Sequence, residues 1–199
     1  MMPILILAAG AASRMRGTDK LLEDVGGQSL LAKQVKAAQA VSTDVRVALP
    51  PAPHPRYAIV ERLGARPVEV SDAAEGMGAS LRTIFATLGP QVRYAMLLLG
   101  DLPDITDHDL RTVQKAAETH PEALIWRGAT ESGRGGHPII FDRMLFPAFD
   151  QLCGDDGGRD IVRQAGNRVH MVPLPGSRAR LDLDSPEDWA AWRAARHIT

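Results

Sequence analysis
Short apolar runs alternate with amphipathic stretches along most of this 199-residue chain, and no other feature constrains its fold as strongly. Residues 4–8 form an unbroken apolar run ending just before Gly10, the pattern of a strand buried on both faces. Residues 45–49, 67–70, 94–99, 123–126, 138–141, 169–172 and 180–183 read as further strands. Helices are expected from Ser29, as cap, to about residue 40, and over 57–63, 80–88, 107–120, 142–152, 158–165 and 186–196. Thr106 with Asp109 and Ser185 with Pro186 carry start signals, and Ser80 reads first as a helix cap. Such alternation implies an α/β chain with a mostly parallel sheet and helices on both faces, a Rossmann-like three-layer sandwich. No linker, repeat or low-complexity tract divides residues 1–199, so a single domain is expected.

Composition narrows the function classes. Lys+Arg total 23 against 24 Asp+Glu, a net charge of -1, which argues against a nucleic-acid partner. With 45% hydrophobic and 24% charged residues the chain has enough apolar material for a core. One cysteine, Cys153, excludes an intrachain disulfide and a multi-cysteine zinc site, and it reads as an inert buried thiol. No basic residue precedes the first apolar run, so it does not read as a secretory signal. No run approaches the roughly 20 apolar residues that span a bilayer, so a cytoplasmic chain without membrane contact is expected.

The loop after the first strand carries the chemistry. Gly10 permits a sharp exit, small residues follow it, and Arg14 and Lys20 add cations within ten positions. Backbone N–H groups beside small residues accept an anion closely, which suits a nucleoside triphosphate. Neither the dinucleotide glycine fingerprint nor the P-loop pattern is present. An ordinary polar loop with solvated charges is the competing reading.

Leu7, Ala8, Ala9, Gly10, Arg14, Met15 and Lys20, placed directly after the first strand, resemble the signature of the MobA-like nucleotidyltransferases. Further stretches resemble the family in order: Glu75 to Leu81, Gly100-Asp101-Leu102-Pro103, Gly136-His137-Pro138, Gly154 to Arg159, and Leu181 to Asp188. Together they cover nearly the whole chain. The Leu-Ala-Ala-Gly start and the pairing of the 75–81 and 154–159 stretches point to the molybdenum cofactor cytidylyltransferase branch. Arg16 stands where the family usually has Gly, His137 where it has Asn, Gly158 for Ala and Ser185 for Thr.

The resemblance implies a function. An NMP would pass from an NTP, CTP by preference, to molybdenum cofactor or another phosphorylated small molecule, with release of pyrophosphate. Catalytic roles fall to Arg14, Lys20 and Asp101. Nucleotide binding falls to Leu7, Ala8, Ala9, Gly10, Arg14, Lys20, Gly76, Ser80 and Asp101. Acceptor binding falls to His137, Asp155 and Arg159, and Mg2+ to Asp101 and Asp182. A molybdoenzyme or its chaperone is the implied protein partner. Nucleotidyl transfer needs positioning and charge neutralisation, and magnesium takes few protein carboxylates, so these residue types suit it.

Each assignment has a plainer competitor. Asp101 also suits a turn, and Asp182 or Asp184 a cap or solvated charge, with Asp184 the rival metal ligand. His137 reads equally as structural. Asp155, Asp156 and Arg159 read alternatively as a helix-start cap, and Asp188 as an acid in the first turns of the last helix. Trp126, Trp189 and Trp192 read as packing residues. A guanylyltransferase, a sugar- or alcohol-phosphate nucleotidyltransferase and a non-catalytic cofactor carrier are the alternative functions. A Rossmann oxidoreductase lacks its glycine fingerprint.

Overall fold
The computed structural model describes residues 1–11, 15–155 and 157–196. One seven-stranded sheet organises the chain, in the order β3-β2-β1-β4-β6-β5-β7. Its strands are β1 Ile4–Leu7, β2 Val45–Leu49, β3 Arg66–Glu69, β4 Tyr94–Leu99, β5 Ile125–Ala129, β6 Gly135–Asp142 and β7 Val169–Pro173. All neighbouring pairs are parallel except those of β6, which runs antiparallel between β4 and β5. The helices are α1 Leu30–Gln39, α2 Pro55–Arg62, α3 Met77–Ala86, α4 Asp107–Thr119, α5 Phe146–Phe149, α6 Arg159–Ala165 and α7 Pro186–Ala194.

Alternation along the strands divides the core in two. Ile4 and Ile6 pack with Leu30, Val35, Val60, Leu110, Val113 and Trp189, which puts α1, α2, α4 and α7 on one face. Leu5 and Leu7 pack with Leu81, Ile84, Phe85, Phe149 and Ile161, which puts α3, α5 and α6 on the other. β1 and β4 are wholly or almost wholly apolar because both their faces are covered. Trp126, Trp189 and Trp192 are buried, as packing residues should be. No helix among the described residues is long and apolar enough to cross a membrane.

Local start signals behave as their chemistry dictates. Thr106 with Asp109, and Ser185 with Asp188, form reciprocal capping boxes at α4 and α7. Ser29 accepts from the Ala32 N–H at α1. Other expectations are corrected. Helix α3 begins at Met77 with Gly76 as its cap, so Ser80 lies inside the first turn and does not cap it. The long helix expected over 142–152 is absent. β6 runs on to Asp142, which caps a single 3-10 turn at Arg143–Leu145, and α5 is four residues long. Pro147, which has no N–H to give, favours a fresh start there. Residues 180–183 form no strand. They lie beyond the sheet, where the Asp182 N–H bonds back to the Arg180 carbonyl at 3.0 Å. Period-2 alternation alone does not make a ladder. Gly158, in the left-handed region, occupies the cap position of α6, so the N-cap is neither Asp155 nor Arg159. Cys153 is exposed rather than buried. Asp156 lies outside the described residues.

Candidate active site
The carboxyl ends of β1 and β4 meet at the point where successive connections leave the sheet in opposite directions. Open α/β sheets bind ligands at such a switch point. Gly100 lets the two strands come together: its N–H donates to the Leu7 carbonyl at 3.0 Å, and a Cβ there would sit 3.0 Å from that oxygen. A cleft of about 560 Å³ opens above this junction. That size suits a nucleotide.

The cleft wall gathers Leu7, Ala8, Ala9, Gly10, Lys20, Gly76, Ser80, Asp101, Asp155 and Asp182, with Asp184 beside them. Arg14 lies outside the described residues. His137 and Arg159 are not part of this wall. Gly10 has no atom within 4 Å of the position its Cβ would occupy, so the first loop presents open backbone to the cleft. Arg16 adopts φ +52, the left-handed region, which accounts for the glycine of the resembled pattern at this position. Its guanidinium meets Glu187 at 2.7 Å on the surface.

Lys20 is the electrostatic centre. Its Nζ donates to Asp101 Oδ2 and to Asp184 Oδ1, each at 2.6 Å. Burial works against its charge, but the two carboxylates outweigh burial and hold its pKa above the ordinary lysine value. Asp101 Oδ1 is buried without a hydrogen-bond partner among the described residues. The cost of such an orphaned acceptor marks it as a ligand atom. Partial withdrawal from water pushes the Asp182 carboxyl up, and the charges of Asp101 and Asp184 push it the same way. No three His, Cys, Asp or Glu side chains among the described residues assemble a complete metal cage. A magnesium ion held here would therefore take most of its ligands from phosphate and water, its usual habit.

Scaffolding around these groups is dense. The loop after β4 is pinned to α1 by Gln34 Nε2 on the Leu102 carbonyl and Lys33 Nζ on the Pro103 carbonyl, both at 2.6 Å. Asp188 Oδ2 accepts the Ser185 and Asp184 N–H groups at 2.9 and 3.2 Å, so this acid also fixes the backbone of Asp184. Gly76 and Gly78 press against the 153–154 backbone, and the Gly78 N–H donates to the Gly154 carbonyl at 2.8 Å. Glu75 closes the same junction by accepting the Gly154 N–H at 3.1 Å while pairing with Arg82. The 75–78 and 153–155 stretches are thus packed together, with Asp155 in the nucleotide-sized cleft.

One feature escaped the sequence, and two others were left open by it. Arg56 of α2 is 2% exposed and ties the first loop together. It donates to the Ala8 and Gly10 carbonyls at 2.6 and 2.9 Å and forks onto both Asp19 carboxylate oxygens at 2.7 Å. Nothing in the sequence around Arg56 connects it to residues 8–19. Asp184, ranked second as a metal ligand, is the acid that joins Asp101 on Lys20. His137 is half-buried, its Nδ1 3.5 Å from the Leu97 carbonyl. Burial pushes its pKa down to about 4, and the ring stays neutral at pH 7.

The fold and the cleft define a nucleotide-handling α/β transferase. The chain belongs to the MobA-like NTP transferase domain family, whose model matches residues 4–169, and is a nucleotidyltransferase by that membership. Rv0371c of Mycobacterium tuberculosis has a solved structure 28% identical to this chain, with a TM-score of 0.77 over 96% of each chain. A manganese complex of Rv0371c matches at 26% identity and a TM-score of 0.72, again over 96% of each. A CMP:2-keto-3-deoxy-manno-octonic acid synthetase complexed with CTP shares the fold at 14% identity and a TM-score of 0.74, over 99% of each. No curated protein matches this chain.

Proposed function
We propose that this protein is a magnesium-dependent cytidylyltransferase that passes CMP from CTP to the phosphate of molybdenum cofactor and releases pyrophosphate. The observation that carries this reading is Lys20 bracketed by two carboxylates at the β1/β4 junction, with one Asp101 oxygen left unpartnered. The manganese complex of Rv0371c and the CTP complex of the octonic acid synthetase support a divalent cation and a cytidine nucleotide in this fold. Sequence likeness at residues 7–10 and 75–81 supports the cytidylyl branch.

Residues 9–11 offer their N–H groups to the triphosphate, the Ala8 N–H being held by the Ala48 carbonyl, and Lys20 leaves its two acids in part to hold phosphate oxygens. Arg14, in the same loop, offsets charge on the departing pyrophosphate. Asp101 and Asp182 would hold the cation, with Asp184 as the alternative to Asp182; when bound, it neutralises charge on the phosphates. Gly76 and Ser80 border the base and ribose. Asp155 borders the same cleft, and Arg159 and His137 face the acceptor. A molybdoenzyme or its chaperone would receive the product. The whole described chain acts as one domain in this reading, in the cytoplasm.

The test is pyrophosphate release from purified protein with magnesium and molybdenum cofactor, supplied in parallel with CTP, GTP, ATP or UTP. Release with CTP alone is the expected result. Release with GTP overturns the cytidylyl assignment. The absence of release with all four nucleotides, from folded protein, overturns the acceptor assignment in favour of another acceptor or a cofactor carrier.

A further inference from the structure
We infer that Arg127 and Arg180 form an anion subsite that grips the phosphate of the acceptor, an inference resting on the nucleotidyl-transfer reading above. Arg127 projects from β5, is half-buried, and donates through Nε to the Gly136 carbonyl at 3.1 Å. Arg180 donates through Nη1 to the neighbouring Gly135 carbonyl at 2.9 Å. A Cβ on Gly135 would lie 2.9 Å from Arg127 Nε, and one on Gly136 would lie 2.7 Å from Arg180 Cγ. Gly135 makes room for the Arg127 stem, and Gly136 first for the Ala179 carbonyl, whose oxygen is nearest to that Cβ position, with the Arg180 stem beside it.

Neither guanidinium meets a carboxylate among the described residues, whereas Arg46, Arg56, Arg82 and Arg178 each do. Glu131 lines the adjoining hollow with Arg134 and Arg180 but pairs with neither. Burial lowers the Arg127 pKa, and the positive charges of Arg180 and Arg159 lower it further. Cations brought together without a protein anion repel each other, and a partly desolvated one is costly. An anionic ligand removes that cost, and a planar fork suits the oxygens of a phosphate. The position fits an acceptor. β6 begins beside the carboxyl end of β4, and the His137 ring feels Arg127, Asp101 and Arg180 together.

The experiment uses Arg127→Gln and Arg180→Gln, with folding checked by circular dichroism. At saturating CTP and magnesium, the KM for molybdenum cofactor should rise by about tenfold or more, the scale of a lost charge-assisted contact. The KM for CTP should stay within about twofold, and Arg127→Lys should recover part of the loss. An unchanged acceptor KM in both variants overturns the subsite. Arg180 is exposed, so its variant tests the idea even where Arg127→Gln fails to fold. Wild-type protein that turns over no molybdenum cofactor refutes the functional reading without touching this one. Inorganic phosphate is then titrated calorimetrically into protein saturated with magnesium and α,β-methylene CTP. Binding by wild type that weakens in both variants supports the subsite; equal affinity, or no binding by wild type, overturns it.

Discussion
Lys20 Nζ stands 2.6 Å from Asp101 Oδ2, although 81 positions separate the two residues. A third group, Asp184, completes the bridge from the far end of the chain. On the proposed reading, this cluster exchanges its internal ion pairs for phosphate and a cation. Asp101→Asn keeps the shape and removes the charge. Turnover should fall by about a hundredfold or more, the scale of a lost preorganised electrostatic group. The melting temperature should hardly move, because Lys20 retains Asp184. Chelation should silence the wild type, and magnesium or manganese should restore it. Full turnover of Asp101→Asn at ordinary magnesium would refute the metal assignment.

Lys20→Met removes the cation that the proposed reading sets against the triphosphate. The KM for CTP should rise by roughly tenfold or more, as expected for a charge-assisted hydrogen bond. Unaltered kinetics with CTP varied would discard this role for Lys20.

Arg56→Met strips the first loop of its four anchoring bonds and leaves Asp19 without its partner. Breaking one side of a buried pair costs about 3–5 kcal/mol. Urea unfolding should register that loss. The companion Arg56→Met/Asp19→Asn should recover part of it, since no lone carboxylate then remains. A single variant as stable as wild type would show that the clamp contributes nothing.

Gly76→Ala adds a Cβ at φ +124, 2.5 Å from Asp155 Oδ1 and 2.6 Å from the Gly154 carbonyl oxygen. Backbone strain of about 1–3 kcal/mol is expected, together with a shifted 154–155 loop and weaker CTP binding. Wild-type affinity in that variant would mean that the cleft tolerates separation of the two loops.

His137 gives the pH prediction. Its pKa is near 4 in the fold, against the ordinary 6.5, because burial disfavours the charged ring. Between those values the unfolded chain binds the extra proton, so stability falls as the pH drops through that window. Each tenfold difference in proton affinity between the two states is worth about 1.4 kcal/mol, which makes the loss a few kcal/mol. Urea midpoints at pH 7 and pH 4.5 should differ more for wild type than for His137→Gln. Equal pH dependence in both proteins would remove His137 from the explanation.

The parallel sheet was legible because β1, β2 and β4 are short, apolar and bounded by turns, a signal that survives without tertiary knowledge. The capping boxes of α4 and α7 were legible because a cap depends on residues three positions apart. Residues 180–183 misled because alternation specifies a face only when a neighbouring strand supplies the ladder. Residues 142–152 misled because the end of β6 and its exit turn were unseen. The early start of α3 was hidden because Gly76 caps it through backbone geometry and packing rather than a side-chain signal.

Local chemistry in the sequence determined β1, β2 and β4 and the starts of α1, α4 and α7, since each depends on near neighbours. Tertiary structure alone decided that Arg56 braces the first loop, that Asp184 joins Asp101 on Lys20, and that Arg127 and Arg180 bond to adjacent carbonyls of β6. Those relationships join residues from different elements. Charges so far apart in the chain acquire their partners only when packing fixes the distances and removes the water between them.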